Sequence, residues 1–164
     1  MPVVTVVQGW ATGGGGFGLV CASDLVLAGA SARFMLGATR VGMAPDAGLS
    51  VTLPRLVGHR RALEIALTNP VIDAPRALEL GIVTRVVPDA TLFHDGHALA
   101  RELATGPTRA LGATKRLLWT GLGASVEACF PDEARTVSEL SGTADAREGL
   151  AAVIERRAPR FTGR

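Results

Sequence analysis

Gly9-Trp10-Ala11-Thr12-Gly13-Gly14-Gly15-Gly16-Phe17-Gly18-Leu19 sets four consecutive glycines between a strand-like run and a helix-like run. Before them, Val3, Val4, Val6 and Val7 have the composition of a strand buried on both faces. After them, Phe17 to Ala22 is apolar without strict alternation. A chain that ends a strand, turns sharply and opens a helix in so few residues needs the close backbone approach that glycine permits. The first N–H groups of that helix have no intrahelical acceptor, and such a terminus suits a phosphate or an oxyanion. A tight connection with no ligand satisfies the same pattern. The run is not a dinucleotide fingerprint, because no acidic residue ends a following strand at the required distance, and the Lys-Ser/Thr pair of a P-loop is absent.

Composition narrows the class. A chain of 164 residues predicts one domain with a sizeable core. With 48% hydrophobic and 4% aromatic residues and no tyrosine, that core rests on Leu, Val, Ile and Ala. A mean hydropathy of +0.30 predicts surface covered by partners, hence an oligomer. The net charge of +2 is dispersed, with no basic stripe for a nucleic acid. Cys21 and Cys129 lie in helix-like apolar contexts, which fits buried thiols in a reducing compartment. The apolar stretch around residues 17–30 is interrupted by Ser23 and Asp24 and falls short of a membrane span, and no leader precedes it. These features predict a soluble cytoplasmic protein. His94 and His97 are spaced i, i+3, but no companion ligands complete a metal site.

Taken in order, Leu25 to Ala28 and Arg33 to Leu36 read as further extended segments, giving an α/β chain. Residues 58–68 predict a helix with one apolar side, ended by Asn69-Pro70. Asp73-Ala74-Pro75 predicts a capped helix closed by Gly81, before a strand from Ile82 to Val87. Beyond Pro88 the chain reads as helical: Asp89 capping a segment to about Thr105, then Thr108 to Leu122, then a helix capped by Ser125 that Pro131 would break or kink. The last helix, Thr143 to Arg157, has Thr143 as cap, Asp145 and Glu148 early and Arg156-Arg157 at its end.

Several motifs then resemble, in order, the enoyl-CoA hydratase/isomerase (crotonase) superfamily. They are Pro2-Val-Val-Thr-Val-Val-Gln-Gly9-Trp-Ala-Thr-Gly-Gly-Gly15, Asp24, Ala32-Arg33-Phe34, Val41-Gly42-Met43-Ala44-Pro45-Asp46-Ala47-Gly48, Leu53-Pro54-Arg55-Leu56-Val57-Gly58, Asp145-Ala-Arg147-Glu148-Gly149 and Arg160-Phe161-Thr162-Gly163. The resemblance implies a crotonase-like ββα core over residues 1–87 that lacks its usual N-terminal strands, followed by a helical oligomerisation region over 88–164. It implies a homo-trimer or hexamer, an acyl-CoA thioester substrate of fatty acid metabolism, and no cofactor beyond the coenzyme A of the substrate. Members usually carry an N-terminal part with one of two oxyanion donors. A fragment, a mis-started product and a shortened relative completed by another chain all fit a start at Met1.

The resemblance also assigns roles. Gly14 matches the glycine whose N–H is the second oxyanion donor, with Gly13 and Gly15 shaping the turn, and Trp10 and Ala11 adjoin the substrate. The two glutamates of the hydratases align with Phe17 and Ala38, neither of which moves a proton, so water addition is disfavoured. Pro45-Asp46-Ala47-Gly48 resembles the isomerase-type motif, including that of the 1,2-epoxyphenylacetyl-CoA isomerases, in which the aspartate is the base. Phe17, Ala38 and Pro45 would then wall the Asp46 carboxylate from water. Pro-Asp-x-Gly is also an ordinary β-turn pattern. A non-catalytic CoA-binding or assembly subunit is the alternative to an isomerase.

Overall fold

The computed structural model describes residues 1–164. Two compact units divide it: Val3–Leu99, and Ala100–Arg164 together with Met1–Pro2.

The first unit is built on two small sheets. Strands β1 (Val4–Val7), β3 (Leu25–Gly29) and β6 (Arg85–Val87) pair in parallel in the order β1-β3-β6. Strand β2 (Trp10–Thr12) pairs in parallel with β4 (Arg33–Met35), and β4 pairs antiparallel with β5 (Ile72–Asp73). Parallel neighbours require crossovers. Helix α1 (Leu19–Ala22) serves β1 to β3. Helices α2 (Leu49–Val57), α3 (His59–Thr68) and α4 (Ala74–Glu79) lie between β4 and β6 in the chain.

Burial on both sheet faces belongs to β3, not to β1. Val26 and Ala28 join one core cluster with Phe17, Phe34, Leu49 and Leu53, while Leu27 joins a second with Leu92 and Leu99. Strand β1 is a sheet edge, so only Val7 is fully buried and Val4, Thr5 and Val6 are half-covered. The predicted strand from Ile82 shrinks to Arg85–Val87; Ile82 and Val83 are buried in a turn instead, anchored by their N–H groups on Ala77 O. Asp73 caps α4 as expected, accepting from Arg76 N at 2.9 Å. Asp89 caps nothing: its Oδ1 accepts from Ser31 N at 3.2 Å, beside the close-packed Gly29. Helix α5 (Leu92–Ala104) starts after it.

In the second unit, α6 (Thr108–Gly121), α7 (Val126–Ser141) and α8 (Ala144–Glu155) follow one another, with α7 packed on both neighbours. Ser125 and Thr143 cap α7 and α8, accepting from Ala128 N and Ala146 N. Helix α7 runs through Pro131, which forfeits one N–H but leaves the remaining ladder to hold the helix. Asp132 pairs with Arg116 and Arg135, and Arg116 Nη2 also donates to the buried Thr136 at 2.7 Å. No helix is long and apolar enough to cross a membrane.

The last motif pair has a physical reason. Buried Asp145 accepts from Thr162 N at 2.7 Å and Gly163 N at 2.9 Å, and Glu148 accepts from Arg160 N at 2.8 Å. The C-terminal tail is thereby clasped to the first turns of α8. Arg157 does not stand free at a helix end: it grips Glu148 through two nitrogens, at 2.5 and 2.9 Å, and Glu155 through Nε. The Arg157 hydrogen bonds, then the Arg160 N–H, hold the Glu148 carboxyl well below the usual range, at about 2. A depressed carboxyl stabilises the fold above its unfolded pKa of about 4.3 and loses that contribution as pH falls. The wild-type chain is therefore expected to melt above Glu148→Gln at neutral pH, with the two midpoints converging as pH falls from about 4.3 toward 2. A pH-independent gap in thermal melts would remove Glu148 from the clasp.

Candidate active site

The glycine run resolves into a turn and a helix start. Gly13 carries the positive φ of +61°, and residues 14–18 form a wide helical turn that runs on into α1. Gly14 opens that helix, so its N–H is among those without an intrahelical acceptor. A Cβ built on Gly14 would lie 1.8 Å from Asp46 Oδ1 and 2.5 Å from Asp46 Cγ. The carboxylate thus occupies the space of a side chain at position 14. Only glycine admits it there.

Asp46 is delivered by the loop before α2. Its carbonyl accepts from Leu49 N at 3.0 Å, and Ala47 and Gly48 both take positive φ. The turn and the side chain use different atoms: the backbone of Asp46 makes the turn, while its carboxylate faces Gly14. None of the ion pairs in the chain engages it. Gly18, one helical turn on, lies against Ala47, where a Cβ would come within 2.9 Å of the alanine methyl, so helix and loop are locked together at two points.

Gly13, Gly14, Ala38 and Asp46 all line one open cavity of about 620 Å³. The other residues singled out from the sequence lie elsewhere. Trp10 is 60% exposed and does not line the cavity; Ala11 is buried beneath Gly16. Phe17 is fully buried in the core, its ring 6.2 Å from that of Phe34. Pro45 precedes Asp46 without joining the lining. The wall expected from Phe17, Ala38 and Pro45 is therefore supplied by Ala38 alone of the three, and Asp46 remains exposed to solvent. Phe17 turns inward because it lies on the face of the glycine helix that packs on β4.

The rest of the lining, chiefly Met35, Leu36, Val41 and Met43, carries no functional mark in the sequence. Met35 reaches the glycine turn because β2 and β4 pair with Thr12 opposite Met35, a register no local pattern announces. Val41 and Met43 belong to the segment around a short helical turn, Ala38–Val41, held between Gly37 and Gly42, both at positive φ. That pair of glycines was the available signal. Cys21 is no nucleophile here, since burial pushes its thiol up to about 12. No group of three or more His, Cys, Asp or Glu gathers into a metal-binding set. One unpaired carboxylate, lying in the side-chain space of the residue that opens the helix and lining a mainly apolar cavity, can take a proton from a carbon acid and return it.

The sequence matches the enoyl-CoA hydratase/isomerase family over residues 1–164. It is 43% identical over its whole length to a probable enoyl-CoA hydratase of Rhodobacter capsulatus, covering 63% of that protein. It is 37% identical to the 1,2-epoxyphenylacetyl-CoA isomerase of Escherichia coli K12, with 99% of this chain and 62% of that protein aligned. The crystal structure of an enoyl-CoA hydratase/isomerase from Cupriavidus metallidurans CH34 superposes with a TM-score of 0.93 at 33% identity, over 99% of this chain and 61% of that one. The chain thus spans a little over three fifths of each of these relatives, and its α/β architecture is the crotonase fold of enoyl-CoA hydratases. By sequence along its full length and by structure, this chain belongs to the enoyl-CoA hydratase/isomerase family.

Proposed function

We propose that this chain carries the proton-shuttling half of an acyl-CoA double-bond isomerase. The observation behind this reading is the pairing of Gly14 with an unengaged Asp46 in a cavity lined by Met35, Val41 and Met43, with no second carboxylate beside it. Asp46 takes the proton from C2 of a 3-enoyl thioester. The Gly14 N–H holds the negative charge that moves onto the thioester oxygen, and the same carboxyl returns the proton at C4. The bond shifts from C3–C4 to C2–C3, and no atom is gained or lost. Hydration needs a positioned base and a positioned acid, and Phe17 and Ala38 supply neither. We assign assembly into a trimer or hexamer to the helices of residues 88–164, where Leu118, Leu122, Phe130 and Val137 expose apolar side chains.

The test is one preparation of the purified chain, sized by light scattering and then assayed with 3-enoyl-CoA and 2-enoyl-CoA. Conversion of the first to the conjugated 2-enoyl thioester, without hydration of the second, is expected. Hydration outpacing isomerisation overturns the reading. A defined oligomer that binds the thioester with no turnover replaces it with a non-catalytic assembly subunit.

A further inference from the structure

One wall of the cavity is formed by the short helical turn Ala38–Val41. It has few bonds of its own: Arg40 N donates to Gly37 O at 3.1 Å, Gly42 N to Thr39 O at 3.2 Å and Met43 N to Ala38 O at 3.0 Å. Such a turn, between two glycines at positive φ, is too short to build an extended helical ladder. Its anchor is the C-terminal end of α3. Thr39 Oγ1 donates to Ala66 O at 2.9 Å, Arg40 Nη2 donates to Asn69 O at 3.2 Å, and the buried side chain of Asn69 donates from Nδ2 back to Thr39 Oγ1. Because the Thr39 hydroxyl proton is committed to Ala66 O, its oxygen can only accept from Asn69, which fixes the orientation of the amide.

Asn69 also takes the left-handed conformation that ends α3, with φ +49° and ψ +53°. Glycine would serve that cap equally well. It would also spare the fold Asn69 Oδ1, which is buried with no partner in the chain. The side chain's one use of its burial is the bond to Thr39. We propose that Asn69 is a positioning residue: through Thr39 it sets the Ala38–Val41 wall of the cavity against which the acyl group of the substrate is held. This rests on the cavity being the acyl site, as proposed above.

Asn69→Gly tests it, since the backbone conformation is kept and only the amide is lost. In the full chain without ligand, hydrogen exchange at the amides of Arg40, Gly42 and Met43 is expected to accelerate about three- to tenfold, the worth of one hydrogen bond. Thr39→Val, which removes this bond and the one to Ala66 O, should accelerate exchange at least as much, Thr39→Ser should not, and the double variant Asn69→Gly/Thr39→Val should exchange no faster than Thr39→Val alone, because Asn69→Gly removes no bond that Thr39→Val leaves. With 3-enoyl-CoA, KM should rise by a similar about three- to tenfold while kcat moves less than about twofold, the signature of a lost ground-state contact. Unchanged exchange in Asn69→Gly overturns the clasp whatever the substrate proves to be. Faster exchange with an unmoved KM also overturns the proposal, showing that the wall moves without touching the acyl group. Should the wild-type chain bind no thioester, the proposed function falls, and the ligand-free exchange series still decides the clasp.

Discussion

Asp46→Asn is expected to lower isomerisation by about 10²- to 10⁴-fold, the contribution of a positioned general base. The amide keeps the shape that fits beside Gly14 but cannot accept the proton from C2. Asp46 is exposed and enters no ion pair, so its replacement should leave the fold within about 0.5 kcal/mol of wild type. Steady-state rates on 3-enoyl-CoA, read beside a thermal melt and thioester binding, check all three expectations. Isomerisation undiminished in a folded, substrate-binding variant would end the assignment of Asp46 as base and leave Pro45-Asp46-Ala47-Gly48 as a turn only.

Gly14→Ala is the second large effect and has a different cause. Gly14 is not among the glycines at positive φ, so alanine does not strain the backbone there, and the atom a Cβ meets first is the far end of an exposed side chain. The fold survives because Asp46 can swing away. Activity does not: the carboxylate must move by more than an ångström from a methyl placed 1.8 Å from its oxygen. Displacements of about 1 Å at a reacting group lower rates by about 10²-fold. The informative comparison is the double variant. If Gly14→Ala acts by displacing the carboxylate, adding Asp46→Asn lowers the rate little further. Full additivity would show that alanine damages something else, such as the alignment of the helix-opening N–H.

How far this was legible in the sequence differs from residue to residue. Asp73, Ser125 and Thr143 are legible in the sequence as helix caps, and each accepts the bond its position demands, since capping is decided within four residues of chain. Asp89 looked equally fit for that role and instead binds the turn after β3, a partner 58 residues away. Helix α2 contains Pro54 and is not legible in the sequence, because a proline in the sixth position reads locally as a break. The valines of β1 and β3 look alike as sequence. Which strand is central depends on who pairs with whom, and that put Val26, Leu27 and Ala28 in the interior and β1 at the edge.

The site divides along the same line. The residues by themselves determined the glycine turn, the helix it opens, a lone acidic residue in a turn motif, and the absence of carboxylates at positions 17 and 38, because each of these is a local matter of backbone freedom and side-chain chemistry. Only the tertiary structure decided that the Asp46 carboxylate fills the side-chain space of Gly14, that Phe17 turns into the core, and that Met35, Val41 and a turn tied to Asn69 form the wall. These are contacts between segments about 20 to 30 residues apart, set by parallel-strand register and helix packing, and no local pattern encodes a register that exists only once both strands are in place.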